Sequence, residues 1–120
     1  MPKLTEAEKA IRGLSEAWVQ ARVTTFLTKN GWWWEARPRM VSRGARTHQP
    51  GMTDLIAVHK TTFRVAFIEV KREQGQLRQV QVELRDLLVE AHDRERVLYL
   101  LAKPSTLKAC LEQLSFAGEY

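Results

Sequence analysis

The sequence predicts an α/β domain, a mixed central β-sheet flanked by helices in the order α-β-β-β-α-β-α. Three observations carry that prediction. Segments with apolar residues at helical spacing alternate with short runs rich in β-branched and aromatic residues. Two such runs, 53–59 and 63–71, are separated only by Lys60-Thr61-Thr62, the spacing of a β-hairpin. The second run is largely apolar on both alternating sets, Phe63, Val65 and Phe67 against Ala66, Ile68 and Val70, as expected of a central strand covered on both sides.

Each element has a local cause. Thr5-Glu6-Ala7-Glu8 has the pattern of a capping box and opens a short helical turn that Gly13 interrupts. Ser15 caps the next helix, with Leu14 and Val19 placed as a hydrophobic staple. It runs from about Glu16 to Lys29 and stops at Asn30-Gly31, and Val19, Val23, Phe26 and Leu27 form its buried stripe. Trp32 to Arg37 begins a strand. Core packing is expected for at least two of Trp32, Trp33 and Trp34, while stacking on unpaired bases or a dimer patch is the other use of such residues. Residues 37–50 form a loop with two prolines and a glycine. After the hairpin, Gln74-Gly75 breaks the chain, and a helix from about Leu77 to Ala91 turns Leu77, Val80, Leu84, Leu87 and Leu88 to the core. Val97 to Ala102 is a short strand, and Pro104 opens a last helix to about Leu114. The chain reads as one domain over 1–120, with residues 1–14 as an N-terminal extension.

Composition narrows the function classes. The chain has 120 residues and one cysteine, Cys110, which excludes an internal disulfide and fits a small apolar position in the last helix. No apolar run approaches the ~20 residues of a membrane span and no secretory pattern opens the chain. The expectation is a cytoplasmic protein, in the host cell if phage-encoded. Nineteen Lys and Arg against fourteen Asp and Glu give a net charge of +5, which favours a polyanionic partner. Arg37, Arg39, Arg43 and Arg46 fall within ten residues that hold no acid, and arginine suits bidentate phosphate contact. A solvated loop is the plain alternative.

The chemistry concentrates after that loop. Asp54 follows Gly51-Met52-Thr53, and fifteen residues later comes Ile68-Glu69-Val70-Lys71. On a strand Glu69 and Lys71 point the same way, and the hairpin returns Glu69 towards Asp54. Two acids and an ammonium in one cluster are costly unless a cation or a phosphate occupies the middle, which points to metal-dependent phosphodiester chemistry. A structural Glu69–Lys71 pair is the competing reading, and it leaves Asp54 unexplained. Gln81 lies on the apolar side of its helix, where it must find partners, either the carboxylate cluster or a backbone group. Glu16 suits the first turn of its helix through the dipole, yet its spacing to Val19 and Val23 also allows it to face the sheet.

Glu16-x-x-x-Gln20, Pro50-Gly51-x-x-Asp54-Leu55-Ile56-Ala57, Ile68-Glu69-Val70-Lys71 and Gly75-x-Leu77-x-x-x-Gln81 are collinear with the motifs of a known family. The chain resembles the VRR-NUC nucleases of the PD-(D/E)xK superfamily from about Glu16 to Leu101. Arg78 departs from the serine many members carry there. The resemblance implies a restriction-endonuclease-like fold and a Mg²⁺ or Mn²⁺ ion held by Asp54, Glu69 and the Val70 carbonyl, with Glu16 helping directly or through water. Lys71 would orient the attacking water or stabilise transition-state charge, and Gln81 would position Lys71 or the water. Arg37, Arg39, Arg43 and Arg46 would track the DNA backbone.

The expected protein is therefore a structure-directed DNA endonuclease without an organic cofactor. It would act on branched DNA such as Holliday junctions, as a homodimer whose two-fold axis matches the junction. The alternatives are a catalytically silent DNA-binding or assembly protein on the same fold, a less structure-selective nuclease, and a sequence-specific restriction enzyme.

Overall fold

The computed structural model describes residues 3–37, 53–95 and 97–119. Its elements are α1 (Glu6–Arg12), α2 (Glu16–Lys29), β1 (Trp32–Ala36), β2 (Leu55–His59), β3 (Val65–Val70), α3 (Gln79–Asp93), β4 (Leu98–Ala102) and α4 (Leu107–Ala117). They form a mixed α/β fold around a four-stranded sheet in the order β1-β2-β3-β4. β1 and β2 are antiparallel, β2 and β3 are antiparallel, and β3 and β4 are parallel through the α3 crossover. No helix among the described residues is long and apolar enough to cross a membrane.

The helix ends follow from capping chemistry. Thr5 Oγ1 accepts the Glu8 amide at 3.0 Å, and Ser15 Oγ accepts the Trp18 amide at 3.0 Å. Asn30 ends α2, where its side chain donates to the Phe26 carbonyl at 2.8 Å, and Gly31 follows at φ +80°, a conformation that suits glycine.

Strand alternation divides the sheet into two faces. Trp32, Leu55, Ala57, Ala66, Ile68, Val70, Leu98, Leu100 and Ala102 are buried on one of them, under Val19, Val23 and Leu27 of α2 and Cys110, Leu114 and Ala117 of α4. Side chains of the size of Leu27, Leu55, Ile68 and Leu114, fully buried, each contribute about 1.5–3 kcal/mol. The buried ring of His59 joins this face at the far end of the hairpin. Its Nδ1 accepts the Thr61 and Thr62 amides, both at 3.2 Å, which leaves Nε2 to donate to the Asn30 carbonyl at 3.1 Å. Trp32 packs edge-on against it with ring centroids 5.1 Å apart. Trp34 is half-buried and donates to Thr28 Oγ1 at 2.9 Å, while Trp33 stays exposed.

The structure corrects several expectations. β3 is central, but only one of its faces is fully covered among the described residues; Val65 and Phe67 on the other face are half-buried. Phe63 and Arg64 belong to the turn. The Phe63 amide bonds the His59 carbonyl at 3.0 Å, and Phe63 closes the turn at φ +62°, an uncommon conformation for a bulky residue. α3 begins at Gln79, so Leu77 precedes it, and Val80 and Leu87 face solvent, Leu87 being 70% exposed. The buried position of α3 is Gln81, and Val80 lies about 100° around the helix from it. α4 begins at Leu107 and runs past Leu114 to Ala117. Residues 104–106 form a turn instead, because Thr106 Oγ1 accepts the Lys103 amide and donates to the Leu101 carbonyl, both at 2.9 Å.

Candidate metal centre

The second face of the sheet carries a polar row at one end. β1 pairs Ala36 with Leu55, and the Arg37 amide donates to the Asp54 carbonyl at 2.8 Å, which extends the pairing one rung. β2 pairs Leu55 with Ile68, so the next rung sets Asp54 opposite Glu69. β3 in turn pairs Glu69 with Leu101. Arg37, Asp54 and Glu69 therefore stand side by side across three neighbouring strand positions, close enough for cross-strand contact. Lys71 follows by alternation, and its amide continues the β3–β4 pairing by donating to the Ala102 carbonyl at 3.0 Å.

The side chains interlock. Asp54 Oδ2 accepts the Val70 amide at 2.8 Å, and Asp54 Oδ1 lies 3.7 Å from a guanidinium nitrogen of Arg37. Glu69 is 1% exposed, and its Oε1 accepts Gln81 Nε2 at 3.0 Å. Gln81 is itself buried, and its Oε1 accepts the Arg78 amide at 2.7 Å. That bond resolves the departure at Arg78. An arginine side chain has no acceptor with which to cap a helix, and the glutamine carbonyl satisfies the Arg78 amide at the start of α3. Gln81 thus reaches the carboxylate cluster, and the partner it holds is Glu69 rather than Lys71. Gly75 packs beside the Lys71 stem: a Cβ on Gly75 would meet Lys71 Cβ at 3.3 Å and Lys71 Cδ at 3.4 Å.

Burial pushes the Glu69 carboxyl up to about 8; a hydrogen bond with Asp54 and the Asp54 charge add to the rise, and Lys71 and Arg37 oppose it. On β4, Tyr99 projects on the same face as Glu69, and burial, with the Glu69 charge, pushes its phenol up to about 12.

The raised Glu69 carboxyl has a consequence for stability. The folded chain holds a proton that the unfolded chain releases above its ordinary value of 4.5. Stability is therefore fully present below that value and is lost as pH rises towards about 8, by up to about 1.4 kcal/mol per pH unit. Glu69→Gln keeps the shape without the ionisation. Thermal melts of the metal-free protein across this window should fall more steeply for wild type than for Glu69→Gln; parallel slopes would contradict the raised Glu69 carboxyl.

The structure brings together Asp54, Glu69, Lys71, Gln81 and Arg37. Among the described residues no three His, Cys or carboxylate side chains gather round one point, so half-buried Glu16, at the start of α2, does not complete the pair. Arg39, Arg43 and Arg46 lie outside the described residues. The pairing of Arg37 with Asp54 and the placement of Tyr99 were not anticipated. A period-two reading of 97–102 would have put Tyr99 and Leu101 on one face, whereas no local signal joins Arg37 to Asp54. Comparison with protein-family models, curated proteins and solved structures gives no match.

Proposed function

We propose that the chain is a metal-dependent DNA endonuclease with a restriction-endonuclease-like arrangement, and that Asp54 and Glu69 are its metal ligands. The observation that carries this reading is the placement of Asp54 and fully buried Glu69 on opposed strand positions, each with one oxygen already fixed by a hydrogen bond, beside Lys71. A hard divalent cation fits between them, because it would supply the charge that two neighbouring carboxylates need and offset the cost of burying Glu69.

Asp54 and Glu69 would hold Mg²⁺ or Mn²⁺, with the Val70 carbonyl as a further oxygen donor and Glu16 acting through water. Such an ion, when bound, polarises a phosphodiester and lowers the pKa of an attacking water. The Val70 amide fixes one Asp54 oxygen, and Gln81 fixes one Glu69 oxygen, so both carboxylates are oriented in advance. Lys71, its stem packed against Gly75, would orient the water or offset charge that develops on the phosphate. A branched substrate and a two-fold dimer belong to the same proposal.

Purified protein is to be incubated with linear duplex, nicked, flap and four-way junction DNA, each with Mg²⁺, Mn²⁺ or EDTA. Symmetric nicks confined to the junction, absent in EDTA, are expected. Binding without cutting under every metal condition would favour the silent DNA-binding alternative.

The arginine-rich segment gives a separate expectation. If Arg39, Arg43 and Arg46 meet phosphates, each Arg→Ala should lower the log–log salt slope of junction binding by about one unit without changing sequence preference. A fluorescent junction titrated across a salt series reads this. Unchanged slopes for all three would place the DNA on another face.

A further inference from the structure

Of the three consecutive tryptophans, the fold uses two. Trp32 is buried against His59, and Trp34 is tied to Thr28. Trp33 is 50% exposed, and its indole makes no hydrogen bond or ring contact among the described residues. We infer that Trp33 is the outer stacking ring of a platform for unpaired nucleotides, formed by the sheet face that also carries Asp54 and Glu69. The inference deepens the nuclease reading above and rests on it.

Strand register builds the platform. On this face Trp33 stands beside Val58 and Val65, and the next row along the strands is Glu35, Ile56, Phe67 and Tyr99. Asp54 and Glu69 occupy the row after that. α2 and α4 cover the opposite face and α3 packs on β4, so Ile56, Val58, Val65 and Phe67 remain half-buried. Val58 lies four positions along the chain from Asp54, a distance of ~13 Å on a strand. That is about four nucleotides at stacked spacing, and fewer in an extended strand. A strand whose phosphate lies at the metal pair therefore sets its neighbouring bases over these two rows.

Charge selects the occupant. The only charged side chain in the two rows is Glu35, an acid, so they offer no cation to a phosphate. A duplex presents its phosphates outward and gains little on such a surface. Bases do gain, because each has a π-face that stacks on an aromatic ring whatever its sequence, and a base must be unpaired to reach one. Flaps and junctions carry such bases beside the branch, so stacking here favours them over continuous duplex. A second copy of the chain fits less well, since a stable interface takes about 20–30 residues a side and the two rows supply far fewer.

The test separates stacking from charge and from apolar bulk. Wild type, Trp33→Ala, Trp33→Phe and Trp33→Leu are titrated in Ca²⁺, which prevents cutting, with a fluorescent oligothymidine and with a blunt linear duplex. Trp33→Ala should bind the single strand about tenfold more weakly and the duplex with wild-type affinity. Trp33→Phe should stay within about threefold of wild type on the single strand, while Trp33→Leu, apolar but without a ring, should match Trp33→Ala. The contrast between phenylalanine and leucine carries the test even if the alanine variant is unstable. On a flap substrate in Mg²⁺, Trp33→Ala should raise KM by a similar factor and leave kcat near wild type.

Equal losses on single strand and duplex would mean a contact that does not read pairing, and unchanged single-strand binding would mean that Trp33 meets no base. Full recovery by Trp33→Leu would mean plain apolar burial. Conversion of a wild-type dimer to monomer by Trp33→Ala, read by sedimentation, would mean an interface between copies. Each of these overturns the platform and leaves the metal reading in place. Wild type that cuts no DNA in Mg²⁺ or Mn²⁺ would overturn the nuclease reading, and this inference with it.

Discussion

Asp54→Ala and Glu69→Ala are each expected to abolish metal-dependent DNA cleavage while leaving DNA binding equal to or stronger than that of wild type. Each removes a carboxyl group from a pair that stands on adjacent strands at the end of the sheet, and, with a divalent ion bound, each removes a negative charge from the proposed path of a phosphate. The two variants should differ in stability. Asp54→Ala deprives the Val70 amide of the acceptor it meets at 2.8 Å, an expected cost of about 1–3 kcal/mol. Glu69→Ala leaves Gln81 Nε2 without its acceptor, but it also removes the acid that burial holds protonated, and these effects oppose each other. Asp54→Asn and Glu69→Gln keep the shape and serve as controls for folding. The measurements are cleavage of labelled junction DNA in Mg²⁺ and Mn²⁺, binding in Ca²⁺, and a thermal melt. Cleavage by either alanine variant at near wild-type rate would remove that residue from the metal site.

Lys71→Ala should slow cleavage by on the order of 10² or more, with little effect on folding, if the ammonium stabilises charge formed in the transition state. Lys71 is half-buried at the end of β3, and its backbone bond to Ala102 survives the substitution. Gln81→Ala should cost less in rate but more in stability, because Gln81 both orients Glu69 and satisfies the Arg78 amide at the start of α3. The comparison separates two roles. A group that acts on the substrate loses turnover alone, whereas a group that positions another residue loses part of each. Single-turnover cleavage rates and denaturant midpoints for the two variants read the split. A Lys71→Ala protein that is destabilised yet cuts normally would mark the lysine as half of a structural ion pair.

Much of this was legible because it depends on neighbours in the chain. Ser15 and Asn30-Gly31 bound α2 through hydrogen bonds spanning three or four residues, and its observed limits, Glu16 and Lys29, are the expected ones. The proximity of Asp54 and Glu69 follows from the hairpin, which was legible, although its turn is longer than Lys60-Thr61-Thr62 and takes in Phe63 and Arg64. The errors arise where tertiary surroundings override the local pattern. Counting apolar residues placed Val80 and Leu87 inward, but the sheet beneath α3 carries Glu69, and the helix turns its glutamine to that carboxylate instead. Pro104 suggests a helix start, yet Thr106 bonds backward to Leu101 and Lys103 and delays the helix to Leu107. The opposition of Arg37 and Asp54 depends on the register between β1 and β2, which a long intervening segment conceals. A single sequence can display the members of such a site more readily than their pairing.

The central proposal is that Asp54 and Glu69 together bind a divalent metal, which would replace the proton that burial keeps on Glu69. Its most direct test is calorimetric titration of Mn²⁺ into the DNA-free protein near pH 7, repeated in two buffers of different ionisation enthalpy. Because the Glu69 carboxyl is pushed up to about 8, binding must displace its proton. The account predicts saturable binding with release of about one proton per chain, an affinity that rises by up to about tenfold per pH unit below 8, and loss of both signals in Glu69→Gln. Binding with no proton release, or binding that persists unchanged in Glu69→Gln, would contradict it.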